Sequence, residues 1–178
     1  PGLRFSASEF SMKQFSWLIL SIVTMAVPAR AAESIVAEGV VAAPVATVWD
    51  AWATSAGLRT WLAPHAEIDL RIEGVMRSNY DPKGSLGDPG TIENRILSYE
   101  PQRMLSIKVS KAPERFPFKA RIGDMWTVLY FHPTADGKTA LRIVGVGFGT
   151  DEESQKMKEF FKQGNAFTLT QLQKRFQE

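Results

Sequence analysis

The sequence predicts an α+β domain: one antiparallel β-sheet packed against a single long C-terminal helix, with two short helices after the first strand. Three observations carry this. Consecutive period-two segments fill residues 65–148 and read as antiparallel strands. Apolar positions at helical spacing then fill residues 157–176. No cysteine occurs anywhere in the chain, so the fold rests on a hydrophobic core with no disulfide framework. One long helix on one antiparallel sheet is a two-layer arrangement.

The elements follow in order. Ile35 to Val41 alternates around Gly39 and reads as the first strand. Pro44 stands where a first helical turn tolerates proline. Val45, Val48, Trp49 and Trp52 follow at i, i+3, i+4 and i+7, an amphipathic stripe. Ser55 is placed to cap a second short helix running to Leu62, and Pro64 ends it. His65 to Ile72 alternates strictly, with Ala66, Ile68, Leu70 and Ile72 on one side and Glu67, Asp69, Arg71 and Glu73 on the other. Val75 to Tyr80 is its expected hairpin partner across Glu73-Gly74.

After a Gly/Pro-rich loop (Asp81 to Gly90), strands are expected at Thr91–Tyr99 and Met104–Ser110, turned by Glu100-Pro101-Gln102-Arg103. A proline-broken segment, Lys111 to Asp124, precedes two last strands, Met125–His132 and Thr139–Phe148. Asp136-Gly137 between them is a hairpin signal. Thr150-Asp151-Glu152-Glu153 reads as a capping box. The apolar face of the final helix is expected to hold Met157, Phe160, Phe161, Gly164, Phe167, Leu172 and Phe176.

Residues 12–31 have the order of a secretory signal: Met12-Lys13, the uncharged run Phe15 to Val27, then Pro28 and the small-residue site Ala29-Arg30-Ala31. The run is shorter than the ~20 apolar residues of a membrane-spanning helix. The expected mature chain starts near Ala32 and forms one domain through residue 178, periplasmic or secreted, with no stable membrane anchor. Residues 1–11 lack periodicity and read as vector-derived or mistranslated upstream sequence. Of 21 basic and 19 acidic groups, three and one fall in residues 1–31, leaving 18 of each in the remainder. A neutral domain carries no nucleic-acid footprint. The lack of cysteine excludes a lipidated N-terminal cysteine, thiol catalysis and thiolate metal sites.

Several stretches resemble a known superfamily: Ala43-Pro44-Val45-Ala46-Thr47-Val48-Trp49-Asp50-Ala51-Trp52, Leu58 to Leu62 with Trp61, Gly90-Thr91-Ile92 through Tyr99-Glu100-Pro101-Gln102-Arg103-Met104-Leu105, and Gly164 ahead of Leu169 and Leu172. In that order they resemble the START-like (SRPBCC) helix-grip domains, in the branch named for the activator of the heat-shock protein 90 ATPase. The resemblance spans Ile35 to Gln177. It implies a curved antiparallel sheet wrapped around the C-terminal helix, with a cavity between them. It also implies either a bound hydrophobic or amphipathic small molecule or a cyclase- or hydratase-like activity in that cavity. A protein-interaction module without ligand is a third reading. An exported protein does not meet a cytosolic chaperone, so that partner is not carried over. Many relatives have an aromatic residue after the glycine of the last helix, where this chain has Asn165. Asn165 is read either as a polar contact in the cavity or as a solvent-facing residue.

The search for chemistry finds little. His65 and His132 have no second histidine at metal-ligand spacing, and no Gly-x-Ser-x-Gly elbow occurs. No metal and no cofactor is expected. Gly145, Gly147 and Gly149 read as a strand kept bare for a helix or ligand to approach. Asn94 falls in a strand row with Ile92 and Ile96, a polar group in an apolar row that needs a partner. His65, Asn94 and Arg95 are the candidates for an enzyme. The expected ligand-binding set is Trp61, Asn94, Phe116, Phe118, Leu129, Phe131, Ile143, Phe160, Gly164 and Phe167. Leu129 and Phe131 share one face of their strand, and Trp126, Val128 and Tyr130 the other. Both rows are apolar, so either orientation is open. Lys111 to Asp124, with Pro113, Phe116, Pro117 and Phe118 among basic residues, reads as either a lid or a plain hairpin loop.

Overall fold

The computed structural model describes residues 34–177. The expected signal segment, the residues before it and Ala32 lie outside the described residues. The strands are β1 (Ile35–Val41), β2 (His65–Ile68), β3 (Val75–Asn79), β4 (Ile92–Glu100), β5 (Met104–Lys111), β6 (Trp126–Pro133) and β7 (Thr139–Val146). The helices are α1 (Val45–Ala53), α2 (Ser55–Arg59) and α3 (Glu152–Arg175).

The strands form one antiparallel sheet in the order β1-β7-β6-β5-β4-β3-β2. β1 pairs with the last strand, Ile35 opposite Gly145 and Val41 opposite Thr139. The helices α1 and α2 then carry the chain to the opposite edge, where β2 begins. Register shifts between β4 and β5, at Glu93/Asn94 and Ile96/Ser98, are the irregularities that bend a strand. They help the sheet curve around α3, as the helix-grip arrangement requires. Over β1, an added Cβ on Gly39 would stand 2.9 Å from Gln173 Nε2 of α3. That nitrogen donates to the Val40 carbonyl at 3.0 Å. Gly39 is therefore the place where the long helix meets the edge strand.

The main core fills one end of the concave face. Trp49 and Trp52 of α1, Leu58 of α2 and Leu169 and Leu172 of α3 pack on Leu105, Phe131, Leu141 and other sheet residues. Trp49 meets Phe131 edge-on with centroids 5.4 Å apart. Each such side chain contributes about 1.5–3 kcal/mol on full burial. A second cluster, Ile35, Met125, Phe148 and Met157 with Phe118, Ile122 and Phe161, closes the end near the start of α3. Leu129 and Phe131 point inward, and Trp126 lies on the outer face, 37 % exposed.

Five local expectations are corrected. The alternating stretch His65–Ile72 is strand only to Ile68. Asp69 to Gly74 turns instead, with Gly74 N–H donating to the Arg71 carbonyl at 2.9 Å and Glu73 at φ 64°, which leaves Ile72 exposed. The second short helix is capped by Thr54, whose Oγ1 accepts from Gly57 N–H at 2.9 Å, and it ends at Arg59. Ser55 Oγ accepts instead from Ile68 N–H, at 3.0 Å, tying α2 to the end of β2. The capping box does not form. Asp151 is the cap, accepting from Ser154 N–H at 3.1 Å and Ser154 Oγ–H at 2.7 Å.

β7 stops at Val146, ahead of the expected Phe148. Gly147 there has φ 89°, and an added Cβ would meet the Asp124 carbonyl at 2.2 Å, so loop backbone occupies the space left beside it. The buried stripe of α3, finally, is Ser154, Met157, Asn165, Leu169 and Leu172. Phe160 and Phe167 are exposed. Met157 and Leu172 of the expected face are buried and Phe161 and Phe176 pack against the core, but the stripe turns toward Asn165 and Leu169, and Phe167 does not face the sheet.

Candidate functional site

Every central strand divides its inward row between core and cavity. On β4, Ile92 and Asn94 line a cavity and Ile96, two residues on, enters the core. On β5, Val109 and Ile107 reach the cavity and Leu105 lies under the packed helices. On β6, Thr127 and Leu129 line it while Phe131 packs on Trp49. The helix α1 covers one end of the concave face. At the other end, α3 and the segment 112–122 stand off the sheet and border a partly open cavity of about 290 Å³. That is near the lower end of ligand pockets, which run about 300–1,000 Å³.

The walls are mostly apolar. Met76, Ile143, Pro113, Phe116, Phe160 and Phe161 face this space beside the strand residues above. The polar members are Ser78, Tyr80, Asn94, Thr127, Asn165 and Thr168, with the indole of Trp52. Among the described residues no aspartate, glutamate, lysine, arginine or histidine lines it. Tyr80 is the one ionisable group. Desolvation of its hydroxyl pushes its pKa above the ordinary value, and the Ser78 hydroxyl opposes this. Because the residue is 54 % exposed, it stands at the rim with its hydroxyl only partly desolvated. Either way the phenol is neutral and able to donate at physiological pH.

Two donors stand out. Trp52 Nε1 and Asn165 Nδ2 are buried and have no hydrogen-bond partner among the described residues. Their residues are only 4 % and 8 % exposed, and both line this cavity. Trp61, whose ring lies 4.7 Å from that of Trp52, by contrast donates its Nε1–H to the Ala51 carbonyl at 2.9 Å.

The segment 112–122 is tied down by rings and charges. Phe116 contacts Phe118 at 5.7 Å and Phe160 at 5.6 Å between centroids, and Phe160 contacts Phe161 at 5.5 Å. Arg121 lies 3.9 Å from Asp124, 3.5 Å from Asp151 and 3.8 Å from Glu153, joining this segment to the first turn of α3. Exposed pairs of this kind are worth about 0–1 kcal/mol each, so the rings carry more of the attachment.

Of the expected ligand-binding residues, Asn94, Phe116, Leu129, Ile143 and Phe160 line the cavity. Phe118 stands behind Phe116 and Phe160, and Trp61 behind Trp52. Phe131 is core and borders a separate surface groove beside Gln102 and Arg103. Gly164 lies outside the lining, where an added Cβ would meet nothing within 4 Å. Phe167 is 63 % exposed. Asn165, for which two placements were open, lies in the cavity. Sequence reasoning placed Trp52 in a core stripe and passed over Ser78, Tyr80 and Thr168.

Of the enzyme candidates, His65 sits at the edge, 3.3 Å from the Pro82 carbonyl oxygen, and Arg95 pairs with Glu73 at 2.7 Å on the surface. His132 stacks on Tyr130 in β6. Among the described residues no three His, Asp or Glu side chains gather at a metal-binding distance, and no helix is long and apolar enough to cross a membrane.

Known structures share this architecture. CalU16 from Micromonospora echinospora is 25 % identical, with a TM-score of 0.59 over 82 % of this chain and 76 % of that one. Protein MLL2253 from Mesorhizobium loti is 20 % identical, with a TM-score of 0.60 over 80 % of this chain and 96 % of that one. The Aha1 dimer from Colwellia psychrerythraea is 12 % identical, with a TM-score of 0.61 over 81 % of this chain and 96 % of that one. The last two likenesses carry the fold alone. No curated protein matches the chain by sequence. Residues 42–177 match the model of the activator of Hsp90 ATPase homolog 1-like proteins, and the chain belongs to that family, within the START-like superfamily.

Proposed function

We propose that this is an exported carrier or sensor domain that holds a hydrophobic or amphipathic small molecule between α3 and the sheet, without catalysing its conversion. The observation that carries the reading is the lining: apolar walls with a few uncharged polar groups and, among the described residues, no carboxylate, imidazole, guanidinium or ammonium. Such a surface suits orientation of a ligand, whereas acid–base chemistry needs a positioned group of suitable pKa. The segment 112–122, held by aromatic contacts, acts as the lid through which the ligand enters. A cyclase- or hydratase-like activity has two features in its favour, the neutral Tyr80 phenol at the rim and the Asn94 amide in the lining. A Tyr80→Phe variant that still binds but no longer converts a ligand would establish it.

The test is a screen of the full chain against lipids, sterols and aromatic metabolites by thermal shift and native mass spectrometry. Binding by at least one class is expected, and no shift with any class overturns the proposal. Export is tested separately. Protein recovered from an exporting host should begin at or beside Ala32, and full-length chain retained in the cytoplasm refutes that part.

A further inference from the structure

The cavity keeps two hydrogen-bond donors that the protein does not use. The indole N–H of Trp52 can only donate, and no rotation of the ring turns it into an acceptor. Asn165 Nδ2, on the facing helix, is likewise buried without an acceptor among the described residues, on a residue that lines the same cavity. Buried polar groups are nearly always satisfied, so two exceptions on residues lining one cavity are a chemical description of what enters it. The rest of the lining narrows that description. Among the described residues no cationic side chain lines the walls to accompany a carboxylate or phosphate, and no anionic one to accompany an amine. A charged ligand would lose its hydration with no counter-charge to replace it.

We infer that the cavity takes an uncharged, largely apolar ring compound carrying a carbonyl oxygen, which accepts from Trp52 Nε1–H and Asn165 Nδ2–H. The inference rests on the reading of this cavity as a ligand site and adds the ligand's chemical class. With about 290 Å³ available, near the floor of the ~300–1,000 Å³ of such pockets, the body of the ligand is roughly two or three fused rings. The carbonyl end meets the indole and the amide, and the rings lie along Ile107, Leu129, Phe116 and Phe160.

The experiment uses matched probes on the full chain: indanone with indane, tetralone with tetralin, fluorenone with fluorene, and fluorene carboxylate as the anion. Affinities are measured by tryptophan fluorescence and calorimetry, and the carbonyl stretch of each bound ketone by infrared difference spectroscopy. Each ketone that binds should do so about tenfold or more tightly than its hydrocarbon, since one hydrogen bond supplied to an unpaired donor is worth roughly that factor. Its carbonyl stretch should move to lower frequency on binding. In Trp52→Phe and Asn165→Leu, which keep ring or bulk and lose the donor, the preference should fall to about threefold or less. Should either variant fail to fold, the matched pairs and the infrared shift in the unaltered protein still decide.

Hydrocarbons binding as well as ketones would overturn this inference and leave the cavity-binding reading standing. A ketone preference unchanged in both variants, or the anion binding best, would do the same. No binding by any of these probes would also overturn this inference, and the cavity-binding reading would then be decided by the lipid and sterol screen.

Discussion

The orientation of α3 decides which residues meet the sheet, and a pair of substitutions tests it. Phe167 is 63 % exposed, whereas Leu172, five residues on, is fully buried within the main core. Leu172→Ala removes buried methyl groups and leaves a hole, at a cost of about 2–5 kcal/mol. Phe167→Ala takes a larger ring from the surface and should stay within about 0.5 kcal/mol. A urea slope of about 1–3 kcal/mol per molar is usual for a small domain. The Leu172→Ala midpoint should therefore fall by roughly 1–2 M while the Phe167→Ala midpoint hardly moves. The assay is urea unfolding followed by far-ultraviolet circular dichroism, with equal slopes required before midpoints are compared. If Phe167→Ala costs more than about 2 kcal/mol, or Leu172→Ala less than about 1 kcal/mol, the helix does not sit as described.

Two further outcomes follow from single contacts. Gly164→Ala adds a methyl into open space, so it should stabilise the domain by up to ~1 kcal/mol through helix propensity and leave ligand affinity unchanged, as thermal unfolding and calorimetry will show. Asp151 and Asp136 make the domain acid-sensitive. Ser154 and then Arg121 lower the Asp151 carboxyl, and Lys138 and Thr134 hold Asp136 at about 2. A carboxylate whose folded pKa lies below its unfolded value of about 3.9 stabilises above that pH and loses its contribution as pH falls through the folded value. The melting temperature should therefore drop between about pH 4 and pH 2, and less steeply in Asp151→Asn and Asp136→Asn.

What the sequence showed and what it hid divide along physical lines. Ile35–Val41 was legible to the residue because Ile35, Ala37, Gly39 and Val41 alternate with outward residues and Pro44 lies just beyond the last of them. The turn at Asp69–Gly74 was hidden because alternation of charge and aliphatic side chains is also what a polar turn can show. Only Glu73-Gly74, where the backbone takes a positive φ, carried a different signal. On α3 the large rings misled. Counting phenylalanines added Phe160, Gly164 and Phe167 to a face that correctly held Met157 and Leu172, yet the buried spacing runs through Ser154, Met157, Asn165, Leu169 and Leu172. Two of those five are polar, so a hydrophobicity rule discounts them. Phe160 is aromatic and exposed because it caps the segment 112–122 by ring contacts.

For the cavity, the strand rows were readable and the depth along each row was not. Ile92, Asn94 and Ile96 share a face by period alone, but period does not say that two line a space and the third enters the core. That division depends on where α1 ends its cover of the sheet, a tertiary fact. Trp52 lies at that boundary. Its ring belongs to the core by contact and its residue to the cavity lining, so an indole where a phenylalanine would fill similar space brings a donor the core does not need. A buried donor left without a partner costs about 1–3 kcal/mol, and here two are kept. A core selected for stability alone would replace both with apolar groups of the same shape. Local breaches of this kind concentrate at functional sites. The breach at Trp52 and Asn165 thus stands beside the uncharged lining as a second observation in favour of the proposed binding reading.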